Sequence, residues 1–524
     1  MPTISPPTEK LVRKFKSFVL SKPETFSTIH VDYIASKVAS FYERIRKILD
    51  YQEEHLFRKN AIDRILKRRL FIQPELKNKI AYSLIRELIR AGYLPNDTIP
   101  ESKTEDVESI IDKYALLIKA SDKLSPKKRE ETLKWLISLA SCEIEEKLAP
   151  PSKDKALADH MHEVIKEKIV LRNIDLSQQE KNTQIFIAIQ KALLRADQSL
   201  LNYRLLVWHY PEWINPSEEF LSQITPNLES LKKTLLQKIN HPLGPRFFQI
   251  CNEYNTPFLV LGDILLKNPS VNFENPEHLE RLIDQAYQER FKHSKNKLHR
   301  AAIYSTASIF VTKILFALAI EVPFDLYITK ELIPLSLGIN IIFPPLLMFL
   351  IVMSIKPPPE ENTQKVILEV MKIIFQTKKQ EEYEIKPSIK RNWFLRGVIN
   401  LFYLITFLTS FGLIIWGLSK LNFSWPSTII FLAFISLICF AGLRIRQRSK
   451  ELSVGKEKES GWLFLIDLFA LPLVQMGKWL SGQWAKFNIL VIIFNLILEV
   501  PFQIFVEFLE NWRRFLKDKK EEIQ

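Results

Sequence analysis

Residues Ala301–Tyr327 read AAIYSTASIFVTKILFALAIEVPFDLY and follow a basic stretch holding Arg290, Lys292, Lys295, Lys297 and Arg300. The run stays apolar for about 20 residues, the length a helix needs to cross the hydrocarbon of a bilayer. Nothing earlier in the chain is comparably apolar. The sequence therefore divides into a polar first part and a membrane-directed second part.

Five more apolar segments follow: Ile333–Ile355, Phe394–Leu418, Thr428–Leu443, Gly461–Leu480 and Phe487–Phe508. Basic residues crowd before Ala301, between Lys356 and Arg396, from Arg444 to Lys458 and from Arg513 to Lys520. The alternate connections carry little charge. The positive-inside rule then places the N-terminal part, the 356–392 connector and the C-terminus in the cytoplasm. Six spans satisfy that pattern, and so do four spans with a re-entrant pair at 461–510. Six is the expectation, because a re-entrant pair would hold Lys478 and Lys486 at depth, where lysine is costly. Trp393, Trp416, Trp425, Trp462, Trp479, Trp484 and Trp512 all fall near proposed span ends, where amphipathic rings prefer to lie.

The first 300 residues read as all-α. Apolar positions recur at spacings of three to five, for example Ile29, Tyr33, Val38, Phe41, Ile45 and Ile48. Gly92 stands where a helix ending near Ala91 needs a C-cap. Ser125-Pro126 supplies a cap and first helical position for a helix ending near Leu148, where Pro150-Pro151 breaks the chain. A polar, Pro-bearing stretch from Leu94 to Asp106 marks a boundary. The expected organisation is thus a basic helical subdomain (1–100), a second helical domain (101–300), spans one and two (301–355), the connector (356–392), spans three and four (393–445), a basic loop (446–460), spans five and six (461–510) and a charged tail (511–524). Within the connector, Val366, Ile367, Val370, Ile373 and Ile374 predict an amphipathic helix lying on the membrane or on the soluble domain.

Composition excludes several function classes. Only three of the 12 glycines precede residue 300 (Gly92, Gly244, Gly262), and neither G-x-G-x-x-G nor G-x-x-x-x-G-K-[ST] occurs. Phosphate-cradling loops need clustered glycine so that backbone N–H groups can approach the ligand. Cys142, Cys251 and Cys439 form no C-x-x-C pair, which argues against a zinc site or a disulfide framework. The net charge is +14, and the basic excess of the first 300 residues sits in residues 1–100, with 19 Lys/Arg against 11 Asp/Glu. Arg64, Lys67, Arg68 and Arg69 are its densest cluster, read here as a solvated helix face without a nucleic-acid motif beside it. Asp159-His160-Met161-His162-Glu163 reads as an exposed polar turn, since His residues two apart cannot face one ion from a regular helix. No signal peptide, cofactor motif or catalytic constellation is present, so a non-enzymatic protein is expected.

Ionisable groups inside spans mark functional sites by default. The candidates are Lys313 in span one, Asp467 in span five and Glu499 in span six, with Lys313 paired to Glu499 or Asp467. The tetrapeptide Glu-Val-Pro-Phe occurs at Glu321–Phe324 and again at Glu499–Phe502. A local reading suffices for it: proline ends or kinks a helix at the interface, with Glu in polar surroundings. The sequence leads to a multi-pass cell-membrane protein whose cytoplasmic helical domain docks a protein partner as a scaffold. The competing reading is a transporter or channel component using Lys313, Asp467 and Glu499.

Overall fold

The structure, a computed structural model, describes residues 4–20, 27–31, 54–72, 80–121, 125–271, 273, 275–329, 333–355, 361–375, 382–386, 393–449, 452, 461–487 and five positions near the C-terminus. It is 84% helical with 2% strand. The chain forms two compact units: Met1–Ile283 with Leu368–Lys386 and Leu496–Gln524, and Asp284–Ile367 with Pro387–Asn495.

The first unit contains α1 (Pro6–Leu20), α2 (Glu54–Ile72), α3 (Ile80–Arg90), α4 (Lys103–Ala120), α5 (Pro126–Leu148) and α6 (Ser152–Lys168). After the short strand β1 (Ile169–Leu171) come α7 (Gln178–Ala192), α8 (Gln198–His209), α9 (Glu218–Ile224), α10 (Leu228–Ile239) and α11 (Gly244–Lys267). Helix ends follow the sequence signals. Gly92 takes φ 73°, and the Gly92 and Tyr93 amides donate to the Ile89 and Leu88 carbonyls. That left-handed turn is one glycine adopts without Cβ strain. Ser177, Asp197 and Ser217 accept hydrogen bonds from the amides of Glu180, Leu200 and Phe220, capping α7, α8 and α9.

Helix α5 is the centre of this unit. Of its 23 residues 13 are buried, more than one helix face supplies, and it packs against α2, α4 and α8. Leu136, Leu139 and Ile144 are fully enclosed. Each such side chain contributes about 1.5–3 kcal/mol over its exposed state. The same helix buries three carboxylates, each meeting a cation from a different neighbour. Glu143 lies 2.5 Å from Lys113 of α4, Glu145 3.0 Å from Arg58 of α2, and Glu146 2.7 Å from Arg204 of α8. Glu143 also accepts from the Tyr114 hydroxyl at 2.9 Å, and Lys113 donates to the Trp213 carbonyl. Burial outweighs attraction in that pair, holding the Glu143 carboxyl above and the Lys113 amine below their ordinary values.

Two sequence expectations change. The 159–163 cluster is not an exposed turn but the middle of α6, with His160 and Met161 buried. There Thr8 holds His160 Nε2 at 3.1 Å, and Lys10 and Lys14 of α1 pair with Glu163 and Asp159. The charged residues made the segment look polar, but they face α1. The basic cluster of α2 is likewise engaged: Arg68 and Arg69 both reach Glu87 of α3, and Lys67 pairs with Asp63.

Of the connector, Leu368–Lys386 belongs to the first unit. Strand β2 (Tyr383–Ile385) pairs in parallel with β1, register Ile169↔Tyr383, and the Arg172 amide donates to the Ile385 carbonyl. Three-residue strands more than 200 positions apart leave no alternation to detect. The apolar face anticipated at Val366, Val370, Ile373 and Ile374 is buried, and the Ser5 amide donates to the Ile374 carbonyl at 2.8 Å.

The second unit holds most of the 41-residue α12 (Pro276–Phe316), then α13 (Pro334–Met353), the start of α14 (Glu361–Phe375), α15 (Trp393–Lys420), α16 (Trp425–Ser449) and α17 (Gly461–Phe487). Among the described residues three helices are long and apolar enough to cross a membrane: Pro334–Met353, Trp393–Lys420 and Trp425–Gln447. Six were expected. The first expected span is interrupted by irregular turns, and the last lies almost wholly outside the described residues. Only 17–33% of each helix's apolar window is buried, and residues such as Leu350, Met353, Leu408 and Leu413 lie exposed. A continuous apolar surface of that kind suits lipid, not water.

Small residues bring these helices together. A Cβ on Gly477 of α17 would stand 2.0 Å from the Ser436 carbonyl oxygen of α16, and one on Gly442 would meet Ile351 of α13 at 2.6 Å. Close backbone approach through small residues is how helices associate where apolar burial alone offers no driving force. Polar pairs add direction: Ser410 donates to the Phe469 carbonyl at 2.9 Å and Tyr403 to Gln475 at 2.8 Å.

Candidate functional site

The enclosed charges of the second unit lie at the end of α12. Lys313 is 0% exposed, Glu321 1% and Asn340 0%. Lys313 Nζ lies 2.6 Å from Glu321 Oε1, and Asn340 Nδ2 donates to Glu321 Oε2 at 2.6 Å. The ammonium also lies 4.9 Å from the centre of the Phe434 ring, which itself packs edge-on against Phe316. One carboxylate thus receives a donor on each oxygen, and the cation has an aromatic face beside it.

Local sequence explains the geometry. At 3.6 residues per turn, a residue eight positions on lies about 80° round the helix. Here the regular helix stops at Phe316 and continues as a wider turn over Ala317–Glu321, with a second such turn over Asp325–Thr329. Between them sits Pro323, which has no N–H for the helical ladder. The first wider turn adds residues per revolution and carries Glu321 back toward the face of Lys313. Asn340 comes from α13, two positions after Gly338.

The other predicted partners lie elsewhere. Asp467 accepts from Arg446 Nη1 at 2.8 and 3.1 Å. Helix α16 extends to Ser449, so Arg446 is helical and beside α17 and not in a basic loop. The expected pairing of Lys313 with Asp467 is therefore replaced by two separate pairs. Glu499, and with it the second Glu-Val-Pro-Phe, lies outside the described residues. In the sequence Glu321 stands out only as part of the repeat, and Asn340 is a polar residue within the apolar run Ile333–Ile355. Both signals were present; the missing information was the irregular helix that brings them together.

Chemically, a carboxylate held between an ammonium and an amide can fix helix register or bind a proton or cation in exchange for lysine. Asn340 Oδ1 is buried and accepts no hydrogen bond among the described residues. No protein family, characterised protein or solved structure matches this chain.

Proposed function

We propose that this protein is a membrane-anchored scaffold: its first unit docks a protein partner in the cytoplasm, and the second holds it in the cell membrane by multiple spans. The observation that carries this reading is the fate of the connector. Leu368–Lys386 lies in sequence between the apolar helices α13 and α15, yet it supplies β2 and a buried helix face to the first unit. The chain thus passes from the helical unit to the apolar helices and back more than once, as suits a domain anchored through the membrane part. The pairing of both Glu321 carboxylate oxygens, with Lys313 and Asn340, favours a structural role for that centre, since a paired buried charge specifies packing. The basic flanks favour cytoplasmic termini.

A transporter reading draws on the two widened turns, Pro344-Pro345 within α13 and an Asn340 Oδ1 without a donor among the described residues, because irregular intramembrane helices line substrate paths in many carriers. Reconstitution separates the two. The scaffold reading expects a stoichiometric protein partner crosslinked to the full chain in cells, and no ion or proton flux above that of empty liposomes. Flux abolished by Lys313→Gln would replace it with the transporter.

A further inference from the structure

Helix α12 changes character along one face. Lys292, Lys295 and His299 recur at spacings of three and four, and Ile303 and Phe310 continue the same stripe. All five side chains are exposed, as is Arg300 beside them. Further exposed apolar side chains follow, Val311 and Leu315 among them. Between Glu289 and Glu321 the chain contains no Asp or Glu, although five Lys/Arg fall within residues 290–300. Lys292, Lys295 and Arg300 make no ion pair among the described residues.

Cations without acidic neighbours, directly before an exposed apolar face of the same continuous helix, suit an anionic surface that is itself backed by hydrocarbon. We propose that this stretch of α12 binds the headgroups of anionic phospholipids in the leaflet where the helix enters the membrane. The proposal rests on the membrane reading of the second unit. At 1.5 Å per residue, Arg300 and Lys295 stand about 5 and about 12 Å along the axis before Ile303. The headgroup layer is roughly 5–8 Å deep on each face of a bilayer. Its negative potential extends about 8–10 Å beyond that. Arg300 therefore lies at headgroup depth, and Lys295 and Lys292 lie within the field above it. Each Lys or Arg near such a surface contributes about fivefold in affinity. A protein or nucleic-acid partner would account for the charge but not for the apolar stripe that continues it.

The test is native mass spectrometry of the full chain in detergent, titrated with phosphatidylglycerol or with phosphatidylcholine of the same acyl chains. Phosphatidylglycerol should bind at least tenfold more tightly. The neutral variant Lys292→Gln/Lys295→Gln/Arg300→Gln should lose at least tenfold of that affinity, whereas the charge-conserving Lys292→Arg/Lys295→Arg/Arg300→Lys should keep it. Lys295→Gln alone, with an expected loss of about fivefold, carries the test if the triple variant does not fold. Phosphatidylglycerol affinity unchanged in the neutral variant, or lost equally in the charge-conserving one, overturns the assignment. Tighter binding of a single-stranded oligonucleotide through the same cations overturns it too. Such a result in protein that resists carbonate extraction defeats this assignment alone; release of the chain by carbonate defeats the membrane reading and the assignment with it.

Discussion

Lys313 and Glu321 are eight residues apart, yet their side chains meet at 2.6 Å with neither exposed. Removing one partner leaves the other charge buried and unpaired, a loss of about 3–5 kcal/mol in protein interiors. Lys313→Met or Glu321→Leu alone should therefore lower the thermal midpoint sharply in detergent. The double variant should recover most of the loss, since apolar residues of similar volume replace a buried pair at little cost. A double variant whose loss equals the sum of the two single losses would show that the two groups do not interact.

Gly477 makes a second, purely steric prediction. Gly477→Ala places a methyl group 2.0 Å from the Ser436 carbonyl oxygen, so α16 and α17 must separate. A loss of about 1–3 kcal/mol is expected from overpacking. Gly482→Ala on the same helix, where a Cβ meets nothing within 4 Å, is the control and should be neutral or mildly stabilising. Comparison of thermal midpoints decides it.

The first unit should respond to pH through two groups of opposite sign. Burial lowers His160 from 6.5 to about 4, so its contribution is whole above pH 6.5 and is lost as pH falls through 4, roughly 3 kcal/mol in all. Burial raises Glu145 from 4.5 to about 7, so its contribution is whole below pH 4.5 and is lost as pH rises through 7. Between pH 4.5 and 6.5 the two slopes oppose each other. His160→Asn should flatten the acid limb of a stability profile and Glu145→Gln the neutral limb. A variant leaving its limb unchanged would remove that group from the account.

These outcomes also show how far the sequence was readable. Local signals sufficed for the Gly92 cap, the break at Pro150-Pro151 and the apolar face of α14, because each depends on neighbours within a few positions. What escaped were relations set by packing. Glu321 reaches Lys313 because the turn over Ala317–Glu321 widens, and periodicity analysis assumes a regular helix. His160 looked solvent-facing because its flanking Asp159 and Glu163 meet Lys14 and Lys10 from 145 and 153 positions away. The β1–β2 pair was invisible because each strand has three residues.

The connector gives a further prediction. Val370 is fully buried in α14 and Ile385 is 1% exposed in β2. Val370→Asp buries a charge without a partner, and Ile385→Pro removes a ladder donor and cannot fit a paired strand. Both should accelerate proteolysis within Leu368–Lys386 and lose amide-exchange protection in β1, while Leu368→Ala, at an exposed site, should do neither. Unchanged protection in β1 would mean that β2 does not pair with it.

Sidedness tests the membrane account most directly. Lys153→Cys in α6 and Lys420→Cys at the end of α15 are both exposed positions, whereas Cys142 and Cys251 are buried. An impermeant maleimide applied to sealed vesicles of either orientation should label the two introduced cysteines from opposite faces, with Lys153→Cys on the cytoplasmic side, in protein that resists carbonate extraction. Labelling of both from one face, or release of the chain by carbonate, would contradict it.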